Sequence, residues 1–139
     1  MTIQAVLLPL FVQVVLTFVL LLSTGRLRVG AVRRGEVHPR DIALREQNWG
    51  RRETKVANAY HNQLEIPVLF YVLTILAIIT RQADLLFVVL AWVFVVLRLL
   101  HAAIHVTSNQ VGQRFAAFAA SVTVLAIMWV IFIVRILIS

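Results

Sequence analysis

Residues 57–67 run Ala57-Asn58-Ala59-Tyr60-His61-Asn62-Gln63-Leu64-Glu65-Ile66-Pro67 and open a long apolar stretch with a carboxylate, amides and a histidine at its mouth. At helical spacing Asn58, Asn62 and Glu65 fall at i, i+4 and i+7 and form one polar stripe, with His61 a position off it and four residues before Glu65. Pro67 has no N–H to donate to the Gln63 carbonyl, so the helix is expected to loosen beside Glu65 and leave a backbone oxygen free. A carboxylate near hydrocarbon faces a bundle interior or a watered cavity and is a functional-site hypothesis by default. Its partners must come from elsewhere in the chain.

Composition sets the surroundings. The 139 residues are 61% hydrophobic with a mean hydropathy of +0.92, against about 45–50% apolar in soluble domains. A spanning helix takes roughly 20 apolar residues, so the chain is read as one all-α integral membrane domain over 1–139, a four-helix transmembrane bundle. The expected spans are 3–28, 53–79, 85–106 and 114–137, with one long loop over 30–52 where Gly30, Gly35, Pro39 and Gly50 break helical pattern. Thr2 to Ser23 is nearly continuous hydrocarbon, interrupted by Gln4, Pro9, Gln13 and Thr17. With no basic residue before it and no small-residue cleavage signal, it is read as a retained helix. Cysteine is absent, which excludes disulfides, thiolate metal sites and a cysteine nucleophile.

The net charge of +7 would suit nucleic acid, but the cations gather beside hydrophobic spans, where they set topology and meet anionic headgroups. Nine Lys or Arg lie from Arg26 to Lys55, so the positive-inside rule puts this loop, with Arg45 near its middle, in the cytoplasm and both termini outside. An inner-membrane, multi-pass location follows. Trp49 is expected at the interface; Trp92 and Trp129 lie deeper.

That topology brings a second polar group to the depth of the first. Arg98, His101 and His105 are spaced i, i+3 and i+7 on the third span and share a face, while Arg114 opens the fourth span and Arg28 ends the first. Glu65 and Arg98 could be a structural ion pair, a pocket lining, or both. His101 and His105 could hold a metal from one face, but the adjacent Arg98 argues against a dication and for a hydrogen-bond network, so no metal is expected.

Together these residues resemble the MAPEG family, membrane-associated proteins of eicosanoid and glutathione metabolism. The resemblance rests on four spans, the basic first loop, Asn62-x-x-Glu65 followed by Pro67, Arg98-x-x-His101, and Arg114 opening the last helix. It implies a homotrimer that binds glutathione between subunits near the cytoplasm. By that resemblance Arg28 looks like the first-helix arginine and Asn62 and Glu65 like glutathione contacts. Arg114 looks like the catalytic arginine that steadies the thiolate; a fixed guanidinium lowers a thiol pKa from about 8.5. Asn58, His61, Arg98, His101 and His105 complete the expected ligand-binding set. Glutathione-using members tend to carry arginines and a histidine where this chain has Asn58, Tyr60 and His61, and several carry a tyrosine at the position of His105. The expected function is therefore a glutathione transferase or peroxidase acting on hydrophobic electrophiles, with membrane lipids and other copies of the chain as partners. The alternative is a non-catalytic trimer that binds a lipid or another amphiphile.

Overall fold

A computed structural model describes residues 1–44 and 48–139; Arg45, and with it the centre of the basic loop, lies outside the described residues. Among the described residues the regular structure is helical: α1 (Ile3–Arg33), a 3₁₀ turn (Pro39–Ile42), α2 (Arg51–Asn62), α3 (Ile66–Ile79), α4 (Leu85–Val106) and α5 (Val111–Ile138). Among the described residues four stretches are long and apolar enough to cross a membrane, with α2 and α3 together forming the second. Lys55 Nζ donates to the Thr107 carbonyl at 2.9 Å, which ties the start of α2 to the end of α4 and fixes one end of the bundle as the loop end.

Helix boundaries depart from the sequence expectation in three places. α1 does not stop at residue 28 but continues through Gly30 to Arg33, and the chain turns only where Gly35 takes φ +73°, a left-handed conformation that glycine adopts without a Cβ clash. α5 begins at Val111, so Arg114 stands in its first turn rather than at its first residue. The second span is not one helix. α2 ends at Asn62, Glu65 caps α3 at φ −101° and ψ −103°, and Pro67 occupies the first turn of α3. Proline suits a helix start, where its missing N–H would have no partner anyway, so the same residue both ends one helix and seeds the next.

The apolar core is largest away from the loop end. Val6, Phe70, Leu73, Ala77, Phe87, Ala91, Phe94, Leu125 and Met128 bury there, with Phe70 and Phe94 rings 4.8 Å apart at their centroids. A smaller cluster of Leu20, Val56, Ala59 and Ala102 closes the loop end. Buried polar groups accompany the helix break. Gln13 Nε2 donates to Gln63 Oε1 at 2.7 Å, and Gln63 Nε2 donates to the Ala59 carbonyl at 2.9 Å. Both glutamines are 0% exposed. Gln13→Leu strands a buried acceptor on Gln63 and is expected to cost about 1 kcal/mol, toward the upper range of membrane hydrogen bonds. Gln13→Leu/Gln63→Leu, which removes the pair, should recover only part of it in detergent melts, because the Ala59 carbonyl then loses its Gln63 donor.

At the opposite end Asp84 caps α4, its Oδ1 accepting from the Phe87 N–H at 3.0 Å, and its Oδ2 meets Arg135 Nη1 at 2.9 Å. Partial burial pushes the Asp84 carboxyl up, but the Phe87 bond and the Arg135 guanidinium outweigh it and hold it below the ordinary carboxylate range. A depressed carboxylate stabilises the fold above its unfolded pKa, and that contribution is lost as pH falls through the folded value. Both side chains are partly solvated, so Asp84→Asn, which keeps the cap, should cost under about 1 kcal/mol at pH 7. Melts repeated near pH 3 should show the variant and the parent converging.

Candidate functional site

The break between α2 and α3 opens toward the ends of α4 and α5. An open cavity of about 450 Å³ lies there, lined by Asn58, His61, Asn62, Glu65, His101, His105, Val111, Arg114, Phe115 and Phe118. Three separate stretches of sequence supply it: the polar stripe before Pro67, the last two turns of α4, and the first two turns of α5. The volume falls within the roughly 300–1,000 Å³ of small-molecule sites.

Each polar residue has a traceable position. Asn62 Nδ2 donates back to the Asn58 backbone carbonyl at 3.1 Å, so the Asn62 amide is held along the last turn of α2. Tyr60 and His61 rings lie 5.4 Å apart. His101 and His105 are buried one turn apart with ring centroids at 5.6 Å, and the Nδ1 atom of each is buried without a hydrogen-bond partner within the protomer. His101 also packs 5.9 Å from Phe118 across the cavity floor. Among the described residues no group of three or more His, Asp or Glu converges as a metal would require.

Arg114 is the most firmly oriented. Its Nη1 donates to Asn109 Oδ1 at 2.6 Å. Asn109 itself adopts φ +50° and closes α4 with an N–H bond to the Ile104 carbonyl at 2.7 Å. Asparagine tolerates this left-handed conformation better than most residues, so one residue ends α4 and aims the first arginine of α5. Nothing in the local sequence pattern around Asn109 announces this tether.

Seven of the nine sequence-expected site residues therefore meet on one cavity: Asn58, His61, Asn62, Glu65, His101, His105 and Arg114. Arg28 and Arg98 do not line it. The Arg28 guanidinium lies over the Trp49 ring at 4.8 Å, a cation–π arrangement. Arg98 is 0% exposed and donates from Nη2 to the Asn62 carbonyl at 3.2 Å. That oxygen lies at the end of α2, where the helix break leaves carbonyls without helical partners. The ion pair considered for Glu65 and Arg98 is not formed, and among the described residues Glu65 enters no ion pair. The two charges interact through space only. Glu65 instead lies exposed on the cavity wall, beside the outward-facing Leu64.

Sequence reasoning missed the Gln13–Gln63 pair behind this wall. A lone glutamine in an apolar helix carries no signal for a partner on another span.

No curated protein and no solved structure matches the chain. The sequence profile of the MAPEG family matches residues 6–134, nearly the whole length, and the chain belongs to the MAPEG family.

Proposed function

We propose that the chain is the protomer of a homotrimeric membrane glutathione transferase or peroxidase that acts on hydrophobic electrophiles. The observation that carries this reading is the convergence of Arg114, Glu65 and the amides of Asn58 and Asn62 on one open cavity. Glutathione would bring two carboxylates, an ammonium and a thiol, and its chemistry is that of the thiolate nucleophile. Glu65 suits the ammonium, and the two amides suit peptide groups. Arg114, held by Asn109, is the group able to favour a thiolate by its charge. The exposed Val111 and Phe115 give the cavity an apolar rim that a lipid-borne substrate could reach.

The fit is incomplete within one protomer. Among the described residues Arg114 is the sole arginine on the cavity wall, so one ligand carboxylate would be met by a neighbouring copy. Glu65 also stands exposed at the mouth of an apolar span, where a neighbouring copy would close the cavity over it. Both features support the trimer, the assembly typical of the family.

By the positive-inside rule the loop end faces the cytoplasm and both termini lie outside. A cysteine placed at Ala43 should therefore resist impermeant thiol reagents in intact cells and react after permeabilisation. Labelling in intact cells would reverse the orientation.

Titration calorimetry of the purified protein with glutathione, and with S-hexylglutathione, tests the reading. Binding of both, tighter for the S-hexyl derivative because it adds apolar contact at the rim, is expected. Binding of fatty acid or lysolipid with no heat from either thiol ligand would favour the non-catalytic amphiphile binder instead.

A further inference from the structure

A second polar feature lies on α1, away from the cavity just described. At 31 residues this helix is about 46 Å long, against a hydrocarbon thickness of about 30 Å. If its first 20 or so residues cross the hydrocarbon, Leu22 reaches the boundary and Arg26 stands about 6 Å beyond it, at the depth of lipid phosphates. Arg33 follows two turns later on the same face, about 10 Å further along the axis. A shallow bay on this face is lined by Leu21, Leu22, Gly25, Arg26, Val29, Gly30 and Arg33.

The bay combines three properties. Leu22 and Val29 are 65% and 55% exposed, so an apolar strip runs beneath and between the arginines. Arg26 and Arg33 are exposed, and among the described residues neither side chain enters a hydrogen bond or ion pair with the rest of the protomer. Gly25 sits mid-helix, where glycine is less favourable than alanine, yet a Cβ there would meet nothing within 4 Å. Packing inside the protomer does not require that glycine. Its effect is to leave backbone open beside Arg26.

We infer that this face is a binding site for one anionic phospholipid, with its phosphate held by Arg26 and Arg33 and its acyl chains laid along Leu21 and Leu22. Guanidinium groups suit phosphate because their fork of N–H donors bonds it bidentately. Charge decides between a lipid and a second copy of the chain. Among the described residues no carboxylate lines the bay, so a self-contact would bury two guanidinium groups with no counter-charge of their own, whereas a phospholipid headgroup brings its anion to this depth. The site is independent of thiol binding at the other cavity.

Native mass spectrometry of the detergent-solubilised protein, titrated with phosphatidylglycerol or phosphatidylcholine, tests this. The parent should retain phosphatidylglycerol in preference. Arg26→Gln/Arg33→Gln should weaken that retention about tenfold or more, as expected for lost charged hydrogen bonds, and Gly25→Leu should weaken it by filling the bay with the charge unchanged. Arg51→Gln/Arg52→Gln removes the same charge from the start of α2 and should leave retention within about twofold. Equal loss in both double variants would reduce the effect to overall charge and overturn the site. So would equal retention of the two lipids, or a change of oligomeric state in place of lipid loss.

Discussion

Arg114→Met should raise the pKa of a bound glutathione thiol by about 1–3 units, the range over which a neighbouring opposite charge acts. The guanidinium is held by Asn109 in the first turn of α5, so its charge is fixed before any ligand arrives and little reorganisation accompanies binding. With the charge removed, most of the thiolate present at pH 7 reverts to thiol. The rate should fall by less than the thiolate fraction does, because a more basic thiolate is the better nucleophile, with a Brønsted slope of about 0.4–0.5. A loss of about tenfold at pH 7 that narrows above pH 9 is the expected profile. Thiolate absorbance of the binary complex, followed against pH, reads the pKa directly. Asn109→Gly gives a second, gentler test, since glycine keeps the left-handed turn while deleting the tether; its thiol pKa should lie between those of the parent and Arg114→Met. An unmoved pKa in Arg114→Met would remove Arg114 from the catalytic role.

Much of this arrangement was legible in the sequence because it depends on spacing. Hydropathy located the four apolar stretches, and the missing proline N–H announced the break near Glu65. Positions separated by three, four or seven residues put Asn58, Asn62 and Glu65 on one face and His101 and His105 on another, and the helix order brought the faces together. What the sequence concealed were choices between partners. Arg98 had a carboxylate and a freed carbonyl within its prospects; it took the Asn62 carbonyl, which the helix end had left without a helical donor. Arg28 was placed at a helix end that in fact continues to Arg33, and Trp49 folds back over it. Gly30 looked like a stop signal, but a glycine inside a helix costs only about 1 kcal/mol, and the turn waited for the positive φ of Gly35. The Gln13–Gln63 bond joins residues 50 apart, and no local pattern specifies it.

Glu65→Gln should leave the apo protein almost as stable as the parent while weakening thiol-ligand binding by about 10- to 100-fold, the span expected when a hydrogen bond to a charged group is lost. Two roles for the carboxylate predict different outcomes. Were Glu65 the counter-ion of buried Arg98, its neutralisation would leave an uncompensated guanidinium in the bundle and cost about 3–5 kcal/mol with or without ligand. The geometry opposes that role, since Arg98 bonds to the Asn62 carbonyl while Glu65 faces an open cavity, where water can solvate what the carboxylate leaves behind. A smaller term remains. Glu65 caps the amino end of α3 without a side-chain bond to it, so its charge favours the helix dipole by about 0.3–1 kcal/mol, and this is the whole stability loss expected of the variant. Melting curves with and without S-hexylglutathione separate the cases. A nearly unchanged apo transition with a much reduced ligand-induced increment fits a ligand contact. A large drop in the apo protein, with the increment from S-hexylglutathione preserved, would make Glu65 a structural charge and remove it from the site.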